Sequence, residues 1–252
     1  MKTSVSNSTF WRLLAIAVGS MAFAMGVPVT GDPVATGMLM PVAIFVAAVL
    51  ALLIVDASSR REKLMEAVRL ELNKLRRIYH LSKNIADNNP KYRTWFTDMH
   101  GFIYEYLSSF SGKDFGAYET FNAAFRKVSY HIYTIPEIDT RKDEMLFQEL
   151  LHAAGTVAES RQQIKELWDS RLSAYGWTVV GLLSVGYVVA SAYAMNLTAA
   201  SRVVGGISIA AMLLSVDYLR ETDTVSSEKK ALAERYVANI GRLELGRKHG
   251  VE

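Results

Sequence analysis

Apolar and polar positions alternate along this chain on two scales. On the coarse scale, charge disappears for long stretches. Nineteen uncharged residues separate Arg12 from Asp32, 23 separate Asp32 from Asp56, and 30 separate Arg171 from Arg202. Another 17 residues separate Arg202 from Arg220 and contain one charge, Asp217. About 20 mainly apolar residues suffice for a helix to cross the hydrocarbon core of a bilayer. The pattern therefore predicts four transmembrane helices, roughly 12–30, 35–56, 174–196 and 201–219.

On the fine scale, 57–171 has the period of an amphipathic helix almost throughout. Leu64, Val68, Leu72, Leu75 and Tyr79 recur at three- and four-residue steps, flanked by Glu62, Glu66, Lys74 and Arg77. No Pro or Gly separates this stripe from the second apolar run, so the two predict one rod of about 50 residues, roughly 75 Å long. Alternatively, Ser59-Arg-Arg-Glu62 starts a fresh helix as a capping box. "DNNP" at 87–90 ends the rod. Helices over about 91–110 and 115–133 follow, separated by "SGKDFG". "TIPEIDT" (134–140) breaks the chain, and Thr140-Arg-Lys-Asp143 caps the next helix, which carries Leu146, Leu150, Ala154, Val157, Ile164, Trp168 and Leu172 into the third apolar run without a breaker. A tail helix over about 226–247 shows Leu232, Tyr236, Ile240 and Leu243 on one face, too narrow a stripe to fold alone. No strand pattern competes. The expected fold is all-α: a first transmembrane pair (1–56), a helical domain (57–172), a second pair (173–219) and a C-terminal helix (220–252).

Charge supplies the orientation. Of the Lys and Arg residues, two precede the first apolar run, eighteen lie within 57–171 and seven follow the fourth run, against one, Arg202, in the short connections. The excess of basic residues predicts that both termini and the middle segment face the cytoplasm of a multi-pass protein in a cell membrane. The first run also fits a cleaved signal peptide ending at Ala22-Phe23-Ala24. A retained helix keeps every basic cluster on one face and is the expectation here. The formal charge of +3 is small and evenly mixed, which argues against nucleic-acid binding, and the absence of cysteine excludes disulfides and thiolate metal sites.

Candidate chemistry is sparse. The five histidines (80, 100, 131, 152, 249) show no metal-ligand spacing, and no phosphate loop or nucleophile elbow is present. The expectation is no enzyme, no cofactor and no metal. Eleven aromatic residues between Tyr92 and Phe125 predict a packed core more readily than a ligand box. The paired glycines of "VVGGIS" (203–208) predict close helix packing. Carboxylates of the middle segment, interleaved with Lys and Arg, predict a solvated face. Asp217 lies 15 residues beyond Arg202, about 22 Å along a helix and near the inner boundary, and Asp56 falls at the matching level of the second run. Two readings stay open for these carboxylates: pairing with Arg220 or Arg60 at the interface, or lining a water-filled path.

The layout resembles the bestrophin-like membrane proteins. The residues that carry the resemblance are "RLSAYGWTVVGLLSVGYVVA" (171–190), opening the third span, and the aspartate of "LLSVDYLRETD", closing the fourth. The resemblance implies a homo-oligomer, a pentamer in the bestrophin channels, whose axial pore is lined by the second transmembrane helix. Residues 41–55 would then line the path, with Ile44, Phe45, Val49 and Leu52 as candidate constrictions and Asp56 and Asp217 as candidate pore or gate carboxylates. The Tyr-Leu-Arg after Asp217 departs from the calcium-binding members, so no calcium clasp is implied. The expected function is a homo-oligomeric channel in a lipid bilayer, passing an ion and gated by the cytoplasmic helices. The alternative is a non-conducting scaffold or sensor whose helical domain binds a partner, and a transporter ranks third.

Overall fold

The computed structural model describes residues 7–28 and 33–248. Lys2, Asp32 and His249 lie outside the described residues. Eight α-helices are present among the described residues: α1 (Asn7–Gly26), α2 (Pro33–Asn88), α3 (Arg93–Ser108), α4 (Asn122–Ile132), α5 (Arg141–Asp169), α6 (Ala174–Ala194), α7 (Ala199–Thr224) and α8 (Lys229–Lys248). Short 3₁₀ turns at Pro90–Tyr92 and Phe115–Phe121 lead into α3 and α4. The described residues contain no strand, so the fold is all-α.

The helix boundaries differ from the sequence reading at four places, each with a local cause. The 56 residues of α2 run straight through Ser59–Glu62, so no fresh helix begins there. Asn89 and Asp114 cap the two 3₁₀ turns through side-chain oxygens, shortening the helices expected from 91 and 115. Residues 170–173 interrupt the helix expected to run unbroken from Thr140. Ser173 takes an extended conformation and accepts a hydrogen bond from Gly176 N at 3.1 Å, so α6 has its own N-cap. Finally, α7 continues past 219 to Thr224. It stops where Val225 takes a φ of 51°, the left-handed conformation that ends helices. A β-branched residue is strained there, and burial of the Val225 side chain holds it in place.

The chain divides into two compact units. The first comprises segments 1–59 and 170–224. In it α1 lies along α7, and the two helices meet closely at Gly206. A Cβ at Gly206 would meet Met21 Sδ at 3.0 Å and Ala24 Cβ at 3.3 Å, so a larger side chain would push α1 away. Val46 and Leu50 of α2 pack with Val180 and Tyr187 of α6 and with Met212 and Leu219 of α7. Arg202 donates to the carbonyls of Ala24 and Met25, satisfying acceptors that the end of α1 leaves unpaired. Three helices, α2, α6 and α7, contain stretches long and apolar enough to cross a membrane. The apolar part of α1, Phe10–Gly26, is shorter.

The second unit comprises segments 60–169 and 225–252. Its core joins the stripe of α2 to Met99, Ile103 and Leu107 of α3, to Leu150, Val157 and Ile164 of α5, and to Leu232 and Leu243 of α8. The aromatic cluster is part of that core: Tyr92, Trp95, Tyr106, Phe110, Phe115, Tyr118 and Phe121 are all buried, while Tyr104 is exposed. Phe110 stacks on Tyr236 with ring centroids 3.9 Å apart, fixing α8 against the turn that follows α3. At the start of α5, Asp143 N donates to Thr140 Oγ1 at 3.1 Å and the threonine hydroxyl donates to Asp143 Oδ2 at 2.7 Å. Asn88 Nδ2, at the end of α2, donates to Asp143 Oδ1 at 3.1 Å, so one cap ties two helices together.

Candidate functional site

Three arrangements could carry function. The first is a face of α2. Val46 and Leu50 point into the first unit, whereas Met40, Ile44, Phe45, Leu52 and Val55 are more than half exposed and Val49 is partly exposed. Residues 45, 52 and 56 fall on one side of a helix, since seven or eleven residues make nearly whole turns. The apolar stripe therefore ends in Asp56, which is exposed one turn beyond Leu52. Pro41 lies inside α2 and cannot donate to the carbonyl of Gly37, which loosens the ladder at the start of this stripe.

The second arrangement surrounds Asp217. Its partner is Arg12 of α1, at 3.1 Å, and not the neighbouring Arg220. The same guanidinium reaches Glu221 at 3.4 Å. Asp217 and Glu221 are four residues apart and so share one face of α7. Packing at Gly206 brings α1 alongside that face, and one arginine then serves two carboxylates. Asp217 is mostly shielded, with 11 % of its side chain exposed. Nearby, Asp223 accepts from the backbone of Leu172 at 3.0 Å and holds the residues that lead into α6.

The third arrangement is a polar knot in the second unit. Glu71 of α2 is completely buried. Its Oε2 accepts from the hydroxyls of Tyr118 at 2.7 Å and Tyr236 at 2.6 Å, its Oε1 accepts from Tyr106, and Arg161 Nη1 lies 3.2 Å away. Arg161 also donates to Asn122 Oδ1 at 2.5 Å, and its guanidinium lies over the rings of Tyr106, Tyr118 and Phe125. A buried carboxylate is costly unless it is paired and fully hydrogen-bonded, and here three hydroxyls and a cation meet that need. Burial, reinforced by the charge of Glu71, pushes the hydroxyls of Tyr106, Tyr118 and Tyr236 well above the usual tyrosine range. Burial opposes the charge of Arg161, but the surrounding tyrosines and Glu71 outweigh it and hold the guanidinium protonated.

The knot departs from the sequence reading, in which carboxylates of the middle segment face solvent. One signal for it exists. Glu71 lies three residues after Val68 and four before Leu75, on the apolar stripe itself. Its partners lie 35, 47, 90 and 165 residues away in sequence, beyond the reach of periodicity.

Comparison with known proteins agrees with this architecture. The model of the bestrophin-like domain matches residues 12–219. The structure of a bacterial bestrophin homologue from Klebsiella pneumoniae, carrying one leucine-to-threonine substitution, is similar with a TM-score of 0.66. The similarity covers 93 % of this chain and 98 % of that one at 11 % identity. A second structure, of a membrane protein with one glycine-to-alanine substitution, gives a TM-score of 0.63 at 10 % identity, covering 92 % of this chain and 98 % of its own. Identities this low show a shared fold. No curated protein matches the chain. A family model spanning most of the sequence, together with an all-helical fold shared along nearly its whole length, shows that this chain belongs to the bestrophin-like family.

Proposed function

We propose that this chain forms a homo-oligomeric ion channel in a cell membrane, pentameric as in the bestrophin channels it resembles, with its path along the exposed face of α2. The observation that carries the reading is the stripe of Ile44, Phe45 and Leu52 ending in Asp56. A purely lipid-facing helix has no use for a carboxylate in line with its apolar face, and α6 carries none between Arg171 and Arg202. Copies arranged about an axis would turn the stripe into an apolar constriction with a ring of Asp56 at one end. Such a constriction gates by wetting or by movement of its helices. Both termini and the second unit face the cytoplasm, as the basic residues on that side favour.

A second reading has an observation of its own. Arg12 pairs with Asp217 inside one chain, as a sealed, non-conducting scaffold would have it. Single-channel recording of the purified protein in planar bilayers, under a salt gradient, separates the two. A channel gives discrete conductance whose reversal potential shifts in Asp56→Asn and stays put in Asp217→Asn, because Arg12 already neutralises Asp217. A silent bilayer from correctly folded oligomer leaves the scaffold reading.

A further inference from the structure

One cleft of the second unit is lined by four arginines, from a pattern repeated on two helices. Arg69, Asn73 and Arg76 of α2 share their spacing with Arg235, Asn239 and Arg242 of α8. Steps of four and three residues place each trio on one helical face. The two faces line the same cleft, of about 280 Å³, and among the described residues no Asp or Glu lines it. Asn239 holds the helices in register: Arg76 Nη2 donates to Asn239 Oδ1 at 2.8 Å, and Asn239 Nδ2 donates to the carbonyl of Leu72 at 3.3 Å. The Nε of Arg76 is shielded from solvent and meets no acceptor among the described residues.

Guanidinium groups stay charged at every working pH, so four of them around one small cleft repel each other. Elsewhere in this unit the arginines Arg61, Arg77 and Arg161 each have a carboxylate partner. Among the described side chains, which end at Leu243, no carboxylate forms an ion pair with any of the four in the cleft. Their planar donor forks match phosphate oxygens, two at a time. The positive field is felt nearby at His80, where burial and then the charges of Arg76 and Lys83 favour the neutral ring. We propose that this cleft is a binding site for a small ligand bearing clustered phosphate groups, gripped between α2 and α8 by Arg69, Arg76, Arg235 and Arg242. The cleft is at the small end of ligand-site volumes, which suits a compact, soluble diphosphate. Occupancy would neutralise the repulsion and fasten α8 to α2, the helix that also carries the Ile44–Asp56 face.

The test is calorimetric titration of the purified full chain, in neutral detergent, with inorganic pyrophosphate. Comparison is with the double variant Arg69→Gln/Arg242→Gln, whose two positions are exposed, and with the control Lys63→Gln on the same helix. Saturable binding that falls about tenfold or more in the double variant, stays unchanged in the control and weakens with added salt supports the site. Absence of saturable binding at low salt, or equal binding by parent and double variant, overturns the proposal.

Discussion

Replacing Arg161 with methionine provides a sharp test of how the second unit is held together. Glu71 is completely buried and Arg161 is 6 % exposed, with 3.2 Å between Oε1 and Nη1. At an effective dielectric constant near 20, two unit charges at that separation attract by about 5 kcal/mol. Taking both from water costs several kcal/mol apiece, so the pair as a whole sits near balance. Removing only the cation is different, because it strands a buried carboxylate. Arg161→Met should therefore destabilise the unit by about 3–5 kcal/mol. Adding Glu71→Gln to that variant removes the stranded charge, so the double variant should cost less than the sum of the singles by about 1–3 kcal/mol. Denaturant unfolding followed by tryptophan fluorescence measures this if Trp11 and Trp177 are first changed to phenylalanine, leaving Trp95 and Trp168 as reporters within the unit. A cost for Arg161→Met below about 1 kcal/mol, or strictly additive single costs, would refute the picture of a coupled ionic knot.

Other predictions follow from the same geometry. Tyr106, Tyr118 and Tyr236 have raised pKa values in the folded chain, so stability is complete below about pH 10, where unfolded tyrosine is still neutral. Above that pH the unfolded chain loses its protons first and stability falls. An alkaline unfolding titration should show a decline that becomes shallower in Tyr236→Phe, and an unchanged slope would count against the assignment. Gly206→Leu should destabilise the first unit by about 1–3 kcal/mol because Met21 blocks the added atoms, lowering its thermal midpoint. Gly205→Ala should cost less, since its nearest atoms belong to the flexible end of Met195. Thr140→Ala should cost about 1 kcal/mol through loss of the reciprocal cap on α5, read from chemical denaturation.

Much of the fold is legible in the sequence because its signals are local. The charge-free runs find α2, α6 and α7, the threonine–aspartate spacing finds the cap of α5, and the aromatic cluster finds the core around Phe110. The glycine pair in "VVGGIS" marks the seam between α1 and α7. What the sequence hides is pairing across distance. Asp217 attracts attention as a charge in an apolar run, yet its partner Arg12 lies at the far end of the chain, brought near only by helix packing. Glu71 sits visibly on an apolar stripe, but three tyrosines and an arginine from four other segments make its burial tolerable. The repeated Arg-x₃-Asn-x₂-Arg spacing of α2 and α8 becomes meaningful only once the two faces share a cleft. Ser173 looks like one more small residue until its extended backbone makes it a cap.

The central claim, a path along α2, is tested most directly by a cysteine scan during bilayer recording. The chain has no cysteine, so each introduced thiol is unique. A charged, water-soluble thiol reagent should change the current stepwise at Ile44→Cys, Phe45→Cys and Leu52→Cys, and leave Val46→Cys and Leu50→Cys silent, because those two positions are buried within the chain. Block without that face dependence, or no effect at any of the five positions in a conducting oligomer, would contradict a pore lined by α2.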